Sequence, residues 1–201
     1  EASLLSIYIA VLCFLTYACV YAFRKPFTIG LFVNEPKILG VDYKNILVIA
    51  QVIGYTISKF CGIKYISELK HQGRGWAILT LIFISWIPLL LFPLVASPWN
   101  VIFLFLNGLP LGIIWGLIFS FVEGRKSTDF IGAVMAVSFI VSSGFVKSIG
   151  KSLQLNFQIH ENWIGFYTGA IFIIPMIIFV YLLEKIPQPT EQEKKSKSVR
   201  V

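Results

Sequence analysis

Tyr17, Tyr21 and Arg24 recur at i, i+4 and i+7 inside a long apolar run, "YACVYAFRKPFTIGLF". On a helix that spacing puts them on one face. A second run repeats the idea: Gln51, Tyr55 and Lys59 recur at i, i+4 and i+8. Guanidinium presents a rigid fork of N–H donors that matches phosphate or carboxylate oxygens, and an ammonium adds a compact point charge. Tyrosine hydroxyls can donate to the same oxygens. The chemistry these residues could do together is anion binding. The competing reading makes the tyrosines interfacial anchors and Lys59 a side chain that snorkels to the membrane surface.

Other residues extend the candidate set. Lys25 follows Arg24 directly and projects about a hundred degrees away on a helix, toward an outer rim. Lys147 follows "SSGFV", where snorkelling and ligand binding are both open. Gly108, Gly112 and Gly116, with Ser120, form a small-xxx-small ridge that lets another backbone approach closely, and Gly165 and Gly169 repeat it in shorter form. The ridge is read as packing rather than chemistry. No enzyme, catalytic residue, metal site or cofactor is expected. Neither His71 nor His160 falls in an apolar span, HExxH is absent, and Cys13, Cys19 and Cys61 show no ligand spacing.

Such residues need elements to position them, and the composition says which. The 201 residues are 57% hydrophobic and only 13% charged, against about 25% charged in soluble domains. An integral membrane protein follows, with the bilayer as a partner and no nucleic acid despite a net charge of +7. Crossing the hydrocarbon takes about 20 helical residues, and six spans are expected over about 4–33, 45–66, 75–95, 100–121, 130–150 and 163–183. Together they make a six-helix domain over 1–185. Residues 186–201, charged and proline-containing, read as a flexible cytoplasmic linker or tail. The chain begins at Glu1 rather than Met, which reads as a fragment or processed product.

Loop cations set the expected orientation. Ten Lys and Arg fall on the side holding the N-terminus, loops 67–74 and 122–129 and the tail, and three (Lys37, Lys44, Lys151) on the other. The positive-inside rule puts the richer side in the cytoplasm. Arg24 then lies within the outer half of the first span, with "FTIGLF" carrying that helix onward past a kink at Pro26. The competing reading ends helix one at Phe23, makes Arg24 and Lys25 ordinary flanking charges on the cytoplasmic side and inverts the protein; a count of five loop cations against ten then disfavours it. All ten acids lie in loops, at span ends or in the tail, so the cations in the spans have no carboxylate in the bundle. An unpaired charge there is costly, so these cations must face water, another chain or an anionic ligand.

"YACVYAFRKPF" resembles the first-helix motif of the organophosphate:phosphate antiporters, the glycerol-phosphate and hexose-phosphate transporters of the major facilitator superfamily, and "GYTISKF" resembles their second-helix motif. The chain also resembles an uncharacterised bacterial facilitator-like family with "NGLPLG" and "EGR" segments. The resemblance implies the all-α, six-helix N-domain of a facilitator fold in a bacterial inner membrane. It implies a second six-helix half, in the same chain or another, and a small anionic solute, such as an organic phosphate, moved by alternating access. By position it makes Arg24 the phosphate anchor, assisted by Lys59, Tyr17, Tyr21 and Tyr55, with Gln51, Lys25 and Lys147 as further candidates. The sequence departs from the family in the loop "GIKYISELKHQGR", which lacks an Asp-Arg pair, and in a fifth helix without histidine. An anion-binding sensor and a non-functional structural fragment are the alternative readings.

Overall fold

The chain was analysed as a computed structural model that describes residues 2–68 and 73–190. It is all-helical: α1 spans Ala2–Ala22, α2 Tyr43–Glu68, α3 Arg74–Leu91, α4 Val101–Ser120, α5 Thr128–Asn156 and α6 Ile164–Glu184. Short 3-10 turns lie at Pro26–Ile29, Phe92–Leu94 and Glu161–Trp163, and there is no strand among the described residues. Six helical segments of 19 to 29 residues are long and apolar enough to cross a membrane. Large apolar side chains such as Ile140, Ile174, Phe60 and Trp76 cover much of the outside, as a lipid solvent permits. This is the architecture of a helical membrane protein.

Two expected boundaries are corrected. The first span does not run over 4–33. α1 stops at Ala22, a turn carries Phe23 and Arg24, Pro26 opens a 3-10 turn, and extended backbone at Gly30 ends it. Pro26 is the physical reason: its ring opposes the carbonyl four residues back, that of Ala22, and it has no N–H to give. The apolar character of "FTIGLF" therefore serves packing, with Phe27 and Phe32 buried, rather than helix continuation. The fifth helix, expected to end at 150, continues to Asn156. Lys151–Gln154 and Ser152–Asn156 side-chain hydrogen bonds line its exposed last turns. The remaining spans agree within a few residues.

The principal helix pairings are α2 with α4, α1 with α5, α3 with α4, α1 with α6, and α3 with α6. This set maps onto itself when α1 exchanges with α4, α2 with α5 and α3 with α6. The principal pairings are thus the same for α1–α3 as for α4–α6. The closest approach is α2 against α4, and glycine makes it possible. A Cβ on Gly108 would fall on the carbonyl of Gln51, one on Gly112 on Tyr55 and Ser58, and one on Gly54 on the carbonyl of Phe105. Gly108 and Gly112 thus face the α2 backbone, whereas Gly116 faces only the tip of the flexible Ile66 side chain.

Polar contacts tie the two ends of the bundle. At the end carrying the N-terminus, Arg74 donates to the Ser120 carbonyl (2.8 Å), Gly75 N donates to Glu184 (3.1 Å), and Arg125 donates to the Pro187 carbonyl. Ile186 is buried beside them, so the tail expected from 186 is docked where it starts. Its residues 191–201, and loop residues 69–72, fall outside the described residues. At the opposite end the Glu161 carboxylate accepts from the backbone N–H groups of Leu31 (2.7 Å) and Phe32 (3.0 Å), and Tyr43 donates to Asn100.

Candidate functional site

The break after α1 builds the site. A helix end leaves carbonyls without partners, and within a membrane each must be satisfied by protein. Here every one after Ala22 is accounted for up to the 3-10 turn. Asn107 Nδ2 donates to the Phe23 carbonyl (3.1 Å), Gln51 Nε2 donates to the Arg24 carbonyl (3.1 Å), and Thr28 caps the Lys25 carbonyl through both its N–H and its hydroxyl. Gln51 lies about two turns into α2 and Asn107 nearly two turns into α4. That places the break about 10 Å inside those helix ends at 1.5 Å of rise per residue. Arg24 is therefore held at membrane depth although it lies outside a helix.

From this break the Arg24 guanidinium lies over the ring of Tyr55, 4.1 Å from its centroid. The ammonium of Lys59, one turn further along α2, sits 5.1 Å from the same ring and 5.7 Å from that of Trp115 on α4. Cation–π contacts of this kind are worth about 0.5–2 kcal/mol depending on desolvation. Tyr17 and Tyr21 stack edge-on at 5.5 Å, and both pack on Phe139 of α5. Tyr17 and Tyr21 also lie within electrostatic reach of Tyr55 and Arg24. The five residues singled out for anion binding thus form one continuous cluster from α1, its broken end and α2, with α4 and α5 as walls.

No carboxylate pairs with Arg24, Lys25, Lys59 or Lys147 among the described residues, and the Arg24 Nε is buried without a hydrogen-bond acceptor. Lys25 is half-buried and feels the positive charges of Arg24 and Lys147. Lys147 itself is exposed on α5. Beside Lys59, Gly112 and Gly116 leave a groove of 240 Å³, walled by Ile66, Ile113 and Trp115. The ridge therefore has a second effect beyond close packing: it opens space next to a cation.

One candidate changes role. Gln51 is buried, and both amide protons are used, on the Arg24 carbonyl and on Asn107 Oδ1 (2.6 Å). It has no donor left for a ligand and holds the backbone instead. Trp115, Phe139 and Asn107 were not singled out from the sequence. The available signal for Asn107 was a lone amide in the apolar run "FLFLNGLPLG"; for Trp115 and Phe139, aromatics in apolar runs, there was none.

A family model matches residues 26–201. The chain belongs to DUF5690, a family of unknown function. No curated protein matches the sequence. The region matched to DUF5690 takes in Tyr55, Lys59, Asn107 and Trp115 and starts just after Arg24 and Lys25, so the cluster joins residues on both sides of that boundary.

Proposed function

We propose that this DUF5690 chain is one six-helix half of a major-facilitator-type secondary transporter that moves a small anionic solute by alternating access. A phosphate ester is the substrate class to try first. The observation that carries the reading is the convergence of Arg24 and Lys59 on Tyr55, with Tyr17 and Tyr21 alongside and no carboxylate paired to either cation among the described residues. Cations left without counter-charge at membrane depth await an anion. The exchange symmetry of the helix pairings also supports it, because transporter folds are built from internal repeats whose interface carries the substrate site near the midplane.

In this reading Arg24 grips the anion through two parallel charge-assisted hydrogen bonds, Lys59 neutralises it from α2, and the tyrosine hydroxyls complete its shell. The second half, in the same chain or another, closes the site from the opposite side. With no acid in the cluster to carry a proton, one anion exchanges for another. The protein does no covalent chemistry. It lies in the cell's inner membrane with the Arg74–Arg125 end in the cytoplasm.

The test is counterflow of labelled phosphate and glycerol phosphate in vesicles containing the full-length protein. Exchange that is lost in folded Arg24→Ala and Lys59→Ala supports the reading. Exchange at the natural rate in both variants, or binding without any transport in the unsubstituted protein, overturns it; the second outcome would make the protein an anion sensor.

A further inference from the structure

The polar node behind the cluster has a structure of its own. Asn107 is fully buried on α4, and its amide meets two other helices and the break at once. One Nδ2 proton points to the Phe23 carbonyl (3.1 Å) and the other is shared between the Ser85 carbonyl (2.8 Å) and hydroxyl (2.7 Å), while Oδ1 accepts from Gln51. Ser85 Oγ returns a hydrogen bond to the Asn107 carbonyl (3.2 Å). Gln51 then reaches the Arg24 carbonyl. α2, α3 and α4 are thereby all tied to the two residues that follow α1.

Close packing makes the geometry stiff. The α2–α4 approach runs through Gln51 and Gly108, the residue next to Asn107, where no Cβ fits. The Phe23 ring is fully buried, meets Trp86 of α3 edge-on at 6.3 Å, and lies 3.0 Å from where a Cβ on Gly169 of α6 would be. The guanidinium of Arg24, in contrast, rests on the face of the Tyr55 ring and makes no hydrogen bond among the described residues. The Arg24 backbone is fixed far better than its guanidinium. The place from which the guanidinium reaches is therefore set by the amide clamp rather than by its own contacts.

We infer that Asn107, acting through Gln51 and the Phe23 carbonyl, is a positioning residue that fixes the broken end of α1 and so sets the point from which Arg24 reaches an anion. Asn107 does not touch the anion. The position of the break stands on the hydrogen bonds alone; the consequence for anion affinity rests on the transporter reading. An amide is suited to the task because it donates and accepts at once, so it satisfies the helix end and recruits a second amide without placing a charge beside Arg24.

The experiment uses the full-length protein and has two independent readouts. The first is position. In a background lacking Cys13, Cys19 and Cys61, the pair Arg24→Cys and Tyr55→Cys is joined by a short bifunctional thiol reagent, with and without Asn107→Leu. The second is the affinity of inorganic phosphate for the protein with natural Arg24. Asn107→Leu is expected to slow cross-linking and weaken phosphate binding, each by roughly tenfold, the scale of a lost buried hydrogen bond. Gln51→Leu should act in the same direction, and the double variant should lose no more affinity than the worse single one, since both cut one linkage. Thr168→Ala removes a buried hydroxyl on α6 that bonds only within its own helix (2.7 Å), and should lower thermal stability while leaving both readouts unchanged.

A folded Asn107→Leu that cross-links at the reference rate overturns the inference, as does an equal effect from Thr168→Ala. If Asn107→Leu does not fold, Gln51→Leu decides: an unchanged cross-linking rate there overturns the inference, and a slower one supports it. Cross-linking that depends on Asn107 in a protein that binds no phosphate would keep the positioning role and remove the transporter reading. Phosphate binding with Asn107-independent cross-linking would do the reverse.

Discussion

At the residue scale the two cations on Tyr55 differ in what they can do. Guanidinium offers two parallel donors to one anion and ammonium does not. Arg24→Lys, which keeps the charge, is therefore expected to lose most of the affinity for phosphate esters that Arg24→Ala loses, about 1–3 kcal/mol for a charge-assisted bond. Equilibrium binding to the purified full-length variants checks this, and natural affinity in Arg24→Lys would mean that the charge rather than the fork holds the anion. Lys59 lies on the shared ring, whereas Lys25 is half-buried and feels the positive charges of Arg24 and Lys147. Lys59→Ala should accordingly weaken binding more than Lys25→Ala, with Lys25 acting on the rate of encounter at low salt. Equal losses would mean that both lysines touch the ligand. The spacing of Tyr17, Tyr21, Tyr55 and Lys59 made this cluster legible in the sequence, since helical periodicity is all it needs. The role of Gln51 was not legible, because spacing shows a face but not which protons a buried amide uses.

At the element scale, apolar length made the six helices legible, and the same signal concealed the break. "FTIGLF" is as apolar as a helix must be, so hydropathy runs straight through it; the Arg24–Lys25 pair and Pro26 are the marks of the boundary. The glycine ridge was legible because it answers to a simple steric rule, although its partner, α2 with Gly54, was not. That rule yields a graded prediction. Gly112→Ala puts a methyl against the Tyr55 backbone and the Ser58 side chain, and should destabilise the purified protein by about 1–3 kcal/mol, as overpacking does. It should also weaken anion binding, because Tyr55 and Lys59 ride on the displaced turn of α2. Gly144 on α5 has nothing within 4 Å of a Cβ, so Gly144→Ala should be neutral or slightly stabilising through helix propensity alone. Thermal unfolding in detergent compares the two, and equal melting shifts would mean that the α2–α4 contact is looser than its backbone distances indicate.

At the scale of the whole molecule, charge and symmetry act together. Helix pairings that survive the exchange of three helices with three others were not legible in the sequence, because such packing requires only similar shapes and this chain shows no repeated motif beyond short glycine spacings. The charge asymmetry was legible, since it is a count over loops. Arg74, Arg125, Lys126 and Lys185 gather at one end of the bundle with the N-terminus, and Lys37, Lys44 and Lys151 lie toward the other. Insertion leaves the more basic short loops in the cytoplasm. In cells making a protein without native cysteines, a cysteine at Lys126, exposed between α4 and α5, should be shielded from an impermeant thiol reagent, and one at Gln158, exposed between α5 and α6, should react. The opposite labelling would turn the molecule over. The break at Phe23 and Arg24 would then open toward the cytoplasm, and Lys25 and Lys147 would guide an anion from inside the cell rather than from outside. The cluster on Tyr55 would survive that inversion unchanged, so the labelling decides only the side from which the half-site is first filled.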